Sequence, residues 1–157
     1  MTQVFDRWSP SLRDPGLRDP DDDTPRLECG VFGVYDADEA AALTALGLHA
    51  LQHRGQEACG IAAFDGQRFT TERHMGQVGD AFGGGSLAAR LPGRFAIGHT
   101  RYSTAGGSFI RNVQPMFADL ESGGVALAHN GNLTNFLTLR ERLVSEVRRH
   151  PGHVVER

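Results

Sequence analysis

The sequence predicts an α+β fold built in layers, on two observations. Short apolar runs typical of buried strands recur along the chain, and two of them are joined through Asp65–Gly66, a dipeptide that favours a hairpin. Helical patterns occur between these runs without the strict alternation of strand and helix that a parallel sheet requires. The length of 157 residues suits one domain that can bury a core of its own.

The predicted elements follow in order along the chain. Strands are expected at residues 30–35, 58–64, 67–74, 94–99 and 125–129. Helices are expected at residues 39–53 and 132–149. The first helix has Asp38 as its N-cap and ends at Gly55, and the second carries its apolar side chains mostly on one face. The glycine-rich stretch 76–92 is expected to be irregular.

Composition excludes several classes of function. With 39% hydrophobic residues, 22% charged residues and a net charge of −3, the chain has no basic surface of the size that nucleic acid requires. It has no apolar stretch long enough to span a membrane and no secretory signal. Two cysteines, Cys29 and Cys59, are too few for a disulfide framework, so we expect a cytoplasmic protein. Cys59 is expected to be a core residue on a strand.

The first 28 residues differ in composition from the rest. They hold seven acidic residues, four arginines and four of the seven prolines, which gives them the entire net charge of −3. Such a segment cannot bury enough apolar surface to offset its ordering entropy, so residues 1–28 are expected to be disordered. Taken alone, a segment of this kind is more often a tail than a propeptide.

Cys29 stands directly after this leader and before a strand. A lone cysteine in such a place is usually a small buried hydrophobe. As the first residue of a processed chain, it would instead carry a thiol nucleophile and a free α-amine with a pKa of about 7.7–8.0, suited to act as its base. That chemistry requires cleavage after Glu28.

Two further stretches could bind a substrate. In HTRYST, Arg101 could hold a carboxylate in a bidentate way, and Ser103 and Thr104 could add hydroxyl donors. In HNGNL, the pair Asn130–Gly131 could form a simple turn, or its amide groups could point together at one oxyanion. An exposed loop and a turn are the commoner interpretations of each stretch alone.

Five motifs, in this order and spacing, carry a resemblance to a known family. They are ECGVFG (28–33), LQHRGQEACGIA (51–62), GHTRYST (98–104), NVQPM (112–116) and HNGNL (129–133). Over residues 28–145 the chain resembles the glutaminase domain of the amidophosphoribosyltransferases, which use glutamine in the first step of purine synthesis. The QHRGQE element distinguishes it from glucosamine-6-phosphate synthases and asparagine synthetases.

The resemblance implies an N-terminal nucleophile hydrolase fold, in which two antiparallel sheets lie between helical layers. It implies that residues 1–28 are a propeptide and that Cys29 attacks the side-chain amide of glutamine. Asn130 and Gly131 would then form the oxyanion hole.

The resemblance also implies a substrate-binding set. Arg101 would hold the α-carboxylate of glutamine, on a loop that closes over it with Ser103 and Thr104. Arg54 and Gly55 would line the site near the nucleophile.

The chain also departs from the family. Residues 29–157 match the N-terminal part of the glutaminase domain, which we expect to be incomplete at its C-terminus, and the family aspartate that binds the substrate ammonium has no counterpart. We find no match to the phosphoribosyltransferase domain in these 157 residues and expect this chain to lack it. Magnesium, the iron–sulfur cluster of some members and phosphoribosyl pyrophosphate would all belong to that domain, so no cofactor or metal is expected in this chain. The full-length enzyme is expected to be a homo-oligomer.

Two alternatives stay open at this stage. The chain could be an inactive piece that binds only glutamine or a partner chain. It could also be a papain-like protease in which Cys29 pairs with His99 or His129. A metal site at His49 and His53, four residues apart on the first predicted helix, is disfavoured because neither a CxxC motif nor a carboxylate accompanies them.

Overall fold

A computed structural model describes residues 29–102, 109–131 and 134–149, and this part contains six strands and four α-helices. The strands are β1 (Gly30–Val34), β2 (Ala58–Phe64), β3 (Phe69–Met75), β4 (Phe95–Arg101), β5 (Met116–Leu120) and β6 (Gly123–Leu127). The helices are α1 (Ala40–Ala50), α2 (Val78–Phe82), α3 (Leu87–Arg90) and α4 (Phe136–Arg149). One sheet has the order β1-β4-β2-β3, the other is the hairpin β5-β6, and every pairing is antiparallel.

The main core lies between α1 and the four-stranded sheet. Helix α1 packs on β1, β4 and β2, and the short helices α2 and α3 close the side of this layer. The core side chains are Ala40, Ala41, Leu48, Cys59, Ile61, Ala63, Val78, Phe82, Leu87, Leu91 and Ala96. Cys59 is fully buried here, which confirms its predicted place in the core. Burial, with a smaller contribution from Asp80, raises the pKa of its thiol to about 12, so it is unreactive.

The opposite face of the same sheet supports the second sheet. The rings of Phe69 on β3 and Phe117 on β5 are 5.5 Å apart, and Phe69 also lies against Gly124 on β6. Because successive residues of a strand point to opposite faces, Gly60 faces this layer while its neighbours on β2 face α1. The backbone carbonyl of Gln114 passes so close that a Cβ on Gly60 would lie 2.3 Å from it. The predicted α+β class with two antiparallel sheets is confirmed.

The predicted first helix is wrong in its ends. Glu39, with φ of 54°, is the N-cap and makes no side-chain capping bond. Asp38 is not the cap because it pairs with Arg94, which also binds Asp36 at 2.8 Å. At the other end α1 stops at Ala50, and a 3₁₀ turn over Gln52–Arg54 follows. His53 lies in this turn, so the helical spacing from His49 that was considered for a metal site does not exist.

Other elements differ in extent from the prediction. The stretch 76–92 contains the short helices α2 and α3, and Ser86 caps α3 by accepting a hydrogen bond from the Ala89 N–H at 3.3 Å. Strand β4 continues to Arg101, β6 is shifted two residues toward the N-terminus, and α4 begins only at Phe136. Strand β5 was not predicted, because its five residues include Asp119 and are all exposed.

Helix α4 is amphipathic, as predicted, and four of its apolar side chains are exposed. Phe136, Leu137, Leu143 and Val144 are 38–64% accessible to solvent. No helix within the described ranges has both the length and the apolar character needed to cross a membrane.

One buried polar residue stands at the centre of the larger sheet. His99 on β4 pairs with Val31 on one side and Gly60 on the other, and it is fully buried. Neither ring nitrogen has a hydrogen-bond partner in the described part of the chain. Burial, with smaller contributions from the charges of His129 and Arg101, lowers the pKa of His99 to about 4, and the backbone at His129 offsets only part of this shift. His99 is therefore neutral at physiological pH.

We expect Gly60→Ala to destabilise the fold, because its methyl group would overlap the backbone carbonyl of Gln114. Overpacking of this kind costs about 1–3 kcal/mol. Gly84→Ala is the matched control, since no atom lies within 4 Å of a Cβ at that position. Urea unfolding followed by circular dichroism measures both variants. Equal midpoints for the two would contradict the close packing of the layers at Gly60.

We expect His99 to weaken the fold in acid. Its pKa is about 4 when folded and 6.5 for the unfolded reference, so the unfolded chain takes up the proton first as the pH falls. The contribution of neutral His99 to the free energy of unfolding is fully present above pH 6.5 and is lost as the pH falls toward 4. For a pKa shift of this size, the loss amounts to roughly 3 kcal/mol at most.

The measurement compares unfolding free energies of the natural chain and His99→Gln at several pH values between 7.5 and 4. As the pH falls, the free energy of unfolding of the natural chain should decrease more than that of H99Q. Other groups titrate alike in both proteins, so the changing difference reports on His99. A difference that is constant over this range would mean that His99 is not a buried neutral imidazole.

Candidate functional site

Cys29 lies at the edge of the larger sheet, one residue before β1. The pairing of β1 with β4 begins at Gly30 and Thr100, and the hydroxyl of Thr100 accepts a buried hydrogen bond from the Gly30 N–H at 3.1 Å. This bond anchors the chain immediately after Cys29. The thiol itself is half-buried, in contrast to the fully buried Cys59.

The Cys29 sulfur lies against the backbone of Tyr102, just beyond the end of β4. The Tyr102 N–H donates to Sγ at 3.5 Å, and Sγ lies 3.6 Å from the Tyr102 carbonyl oxygen. A backbone N–H directed at sulfur stabilises a thiolate, whereas the carbonyl accepts from the protonated thiol. The same pair of backbone groups can therefore serve both protonation states.

The QHRGQE stretch packs around Cys29. Arg54 donates from Nε to the carbonyl oxygen of Cys29 at 3.2 Å. Gly55 is buried, and a Cβ there would lie 2.7–2.8 Å from the carbonyl carbon and oxygen of Arg101. Only glycine lets the backbone of this turn approach β4 so closely. Glu57 continues the contact by donating its N–H to the Arg101 carbonyl at 3.2 Å.

Gln52 connects the same turn to α2. Its Nε2 donates to the Gly55 carbonyl at 2.6 Å, and its Oε1 accepts from the Val78 N–H at 2.7 Å. One side chain thus fixes the turn that carries Arg54 and Gly55 relative to the main core.

Arg101 is the last residue of β4, not a loop residue as predicted. Its Nη1 donates to the carbonyl oxygen of Asn112 at 2.8 Å, and the side chain is partly exposed. The guanidinium is therefore held at the C-terminal end of β4, where a carboxylate can reach it. Ser103 and Thr104 lie outside the described residues.

Asn130 and Gly131 form an exposed bend after β6. Gly131 has φ of 140°, a conformation that favours glycine and turns the chain sharply. The bend is tied to the body of the protein by the preceding residue, because the His129 N–H donates to Oε1 of Gln114 at 2.7 Å. The predicted oxyanion donors are thus connected to the segment that Arg101 also contacts.

The predicted site residues that the structure describes form two groups. Cys29, Arg54, Gly55 and Arg101 are joined by direct contacts around the ends of β1 and β4. Asn130 and Gly131 are linked to that group through residues 112–114. Over the residues that the structure describes, no three His, Cys, Asp or Glu side chains come close enough together to bind a metal ion.

Sequence reasoning assigned no role to Tyr102, Gln52 or Gln114. Gln52 and Gln114 fall inside the motifs LQHRGQEACGIA and NVQPM, and this was the one signal available. Tyr102 acts through its backbone, so its side-chain identity could not have indicated its role.

Comparison with known proteins gives consistent relatives. The chain is 64% identical over 125 residues to the amidophosphoribosyltransferase of Rhizobium etli, covering 80% of this chain and 25% of that protein. It is 48% identical to the enzyme of that name from Bacillus subtilis over 120 residues, covering 76% of this chain and 25% of the relative. No protein-family model matches the chain.

Solved structures agree with these relatives. The chain matches a structure described as the allosteric regulatory enzyme of purine biosynthesis, with a TM-score of 0.67 and 42% identity. The match covers 80% of this chain and 26% of the other. It also matches the glutamine phosphoribosylpyrophosphate amidotransferase of B. subtilis in complex with ADP and GMP, with a TM-score of 0.64 and 40% identity over the same shares.

These structural matches confirm the predicted class of fold, the α+β sandwich of the N-terminal nucleophile hydrolases. The chain spans about a quarter of the length of the relatives described above. With such identity over four fifths of its own length, the chain is a homologue of the amidophosphoribosyltransferases.

Proposed function

We propose that the chain is the glutaminase portion of an amidophosphoribosyltransferase, which releases ammonia from glutamine. The observation that carries this proposal is the position of Cys29, whose sulfur lies at the sheet edge beside a backbone N–H, with Arg101 on the adjoining strand. A half-buried thiol with a hydrogen-bond donor at its sulfur can attack an amide, and the Arg101 guanidinium on the adjoining strand can bind the carboxylate of an amino acid. The two together fit a substrate that is the side-chain amide of an amino acid.

In the proposed reaction, the first step forms a thioester. The Cys29 thiol gives its proton to the α-amine of the same residue, and the sulfur attacks the side-chain carbonyl carbon of glutamine. A C–S bond forms, the C–N bond breaks, and the ammonium group returns the proton to the leaving ammonia. Water then hydrolyses the γ-glutamyl thioester and releases glutamate.

The other residues would supply binding and charge stabilisation. The guanidinium of Arg101 would bind the α-carboxylate of glutamine, with Ser103 and Thr104 as hydroxyl donors. The amide groups of Asn130 and Gly131 would donate to the oxyanion of the tetrahedral intermediate. Gly55 supports this assignment by letting the turn that carries it pack against the backbone of Arg101, close to where substrate would bind.

Arg54 has the clearest structural support among the proposed roles. Its hydrogen bond to the carbonyl of Cys29 fixes the main chain of the nucleophile. Because the α-amine and the thiol belong to that same residue, fixing its backbone also fixes the base relative to the sulfur.

The mechanism requires that residues 1–28 be removed as a propeptide. Residues 29–157 would then be the N-terminal part of the glutaminase domain. The longer relatives are named amidophosphoribosyltransferases, a name that indicates transfer of the ammonia to phosphoribosyl pyrophosphate. In the full-length protein, that step would take place in a domain outside this chain, which would also bind the magnesium. We propose a cytoplasmic homo-oligomer for the full-length protein, although some relatives are named as chloroplastic.

A papain-like pairing of Cys29 with His99 has no support. A cysteine protease needs an imidazole hydrogen-bonded to the thiol, and among the described residues both nitrogens of His99 are buried and bonded to nothing, the Cys29 thiol included. The hydrogen bonds of the Cys29 thiol are with the backbone of Tyr102.

The test begins with the intact mass of the purified chain, followed by an assay of glutamine conversion to glutamate and ammonia. We expect a product that begins at Cys29 and an activity that is lost by at least 100-fold in Cys29→Ala, because no other group can form the thioester. Cys59→Ala is the matched control and should keep its activity, since that thiol lies in the core.

An engineered variant of the chain tests removal of residues 1–28 separately from glutamine hydrolysis. In it, a protease site placed directly before Cys29 allows the α-amine to be freed without self-cleavage. Glutamine hydrolysis by this chain but not by the intact one would support the role of the amine. If both proteins are folded and neither hydrolyses glutamine, the chain is an inactive piece that at most binds glutamine or a partner chain.

A further inference from the structure

We propose that Gln114 is a positioning residue that holds the oxyanion-hole bend, residues 128–131, in place for glutamine hydrolysis. The inference rests on the proposed function, in which Asn130 and Gly131 stabilise the oxyanion. It starts from the hydrogen bond of 2.7 Å between Oε1 of Gln114 and the backbone N–H of His129, 15 residues further along the chain. Because the N–H can only donate, the side-chain oxygen of Gln114 must face it.

The backbone that carries Gln114 is firmly held. Its neighbours Val113 and Pro115 are both fully buried. The carbonyl oxygen of Gln114 lies against the bare Cα of Gly60 on β2, at the centre of the larger sheet. A side chain that projects from such a backbone has a fixed origin, so its amide can act as a rigid support.

The same segment is joined to the substrate side of the site. Arg101 donates to the Asn112 carbonyl at 2.8 Å, and Arg73 on β3 lies 3.5 Å from the Val113 carbonyl. Residues 112–114 therefore lie between the proposed carboxylate-binding arginine and the proposed oxyanion donors. A shift in this segment would change the distance between the two ends of a bound glutamine.

The bend that Gln114 supports has little burial of its own. Asn130 and Gly131 are exposed, and β6 before them has no fully buried residue. An exposed bend with a glycine at φ of 140° samples several conformations unless a contact restricts it. The hydrogen bond at His129 restricts it directly next to the two donors.

A positioning role makes a specific demand on the kinetics. Oxyanion donors act in the transition state and not on bound glutamine, so misplacing them lowers kcat and leaves KM nearly unchanged. Loss of one such donor costs about 100–1,000-fold in kcat. Displacement of the bend by loss of its support should cost less, about 10-fold.

The experiment compares three substitutions in the full chain. Gln114→Met keeps the length of the side chain and removes the acceptor. Gln114→Glu keeps an acceptor oxygen at the same place. Gln114→Asn keeps the amide but draws it back by about 1.5 Å, one carbon–carbon bond, and serves where Q114M fails to fold.

The first readout does not depend on activity. Amide hydrogen exchange by NMR should be at least 10-fold faster at His129 in Q114M and Q114N than in the natural chain, while Q114E stays close to it. The amide signals of Asn130 and Gly131 should shift with it, whereas those of Ile61 and Ile97 in the sheet should not. Unchanged exchange at His129 in Q114M would overturn the proposal.

The second readout is glutamine hydrolysis. We expect about 10-fold lower kcat for Q114M with KM within twofold, recovery in Q114E, and an unchanged rate of Cys29 alkylation by iodoacetamide. A rise in KM with constant kcat, or equal losses in Q114M and Q114E, would overturn the positioning role. If the natural chain hydrolyses no glutamine, the proposed function fails, and the exchange measurement still decides whether Gln114 holds the bend.

Discussion

The pairing of β1 with β4 is the constraint on which the rest of the site depends. It brings Cys29, before the first strand, to Tyr102, after the fourth, across 73 residues of sequence. The buried hydrogen bond from the Gly30 N–H to the Thr100 hydroxyl fixes the register one residue from Cys29. A slip by one residue would turn every side chain of β1 to the other face and remove the thiol from the Tyr102 N–H.

The two cysteine thiols differ in reactivity because their surroundings differ. Cys59 lies on β2 in a sheet covered by α1, where burial, with a smaller contribution from Asp80, raises its pKa to about 12. Cys29 lies at the rim of the same sheet, where the backbone of Tyr102 offers a donor and an acceptor. Position in one sheet, rather than the neighbouring sequence, therefore decides which thiol can act as a nucleophile.

Much of this arrangement could be predicted from sequence. Strand β2 was predicted with its observed bounds because ACGIAAF is a continuous apolar run that ends at a hairpin turn. The motifs also predicted that Arg54 and Gly55 lie near Cys29. The short helix α2 could not be predicted because it lies in a glycine-rich stretch, which is typical of a loop. The strand β5 could not be predicted because all its residues are exposed and it has no buried face. The burial of His99 also lacked a local signal, because it results from the layer that packs across Gly60.

The two halves of the site have unequal support. Cys29 and Arg54 are attached to a sheet with a buried core, while Asn130 and Gly131 follow an exposed hairpin and are held through Gln114. Segments with few buried contacts open at a lower free energy than the core. Cys29 can therefore stay in place when Asn130 and Gly131 move away. In the proposed reaction, thiol reactivity alone would then say little about catalysis, because stabilising the transition state would require both halves to be correctly placed at once.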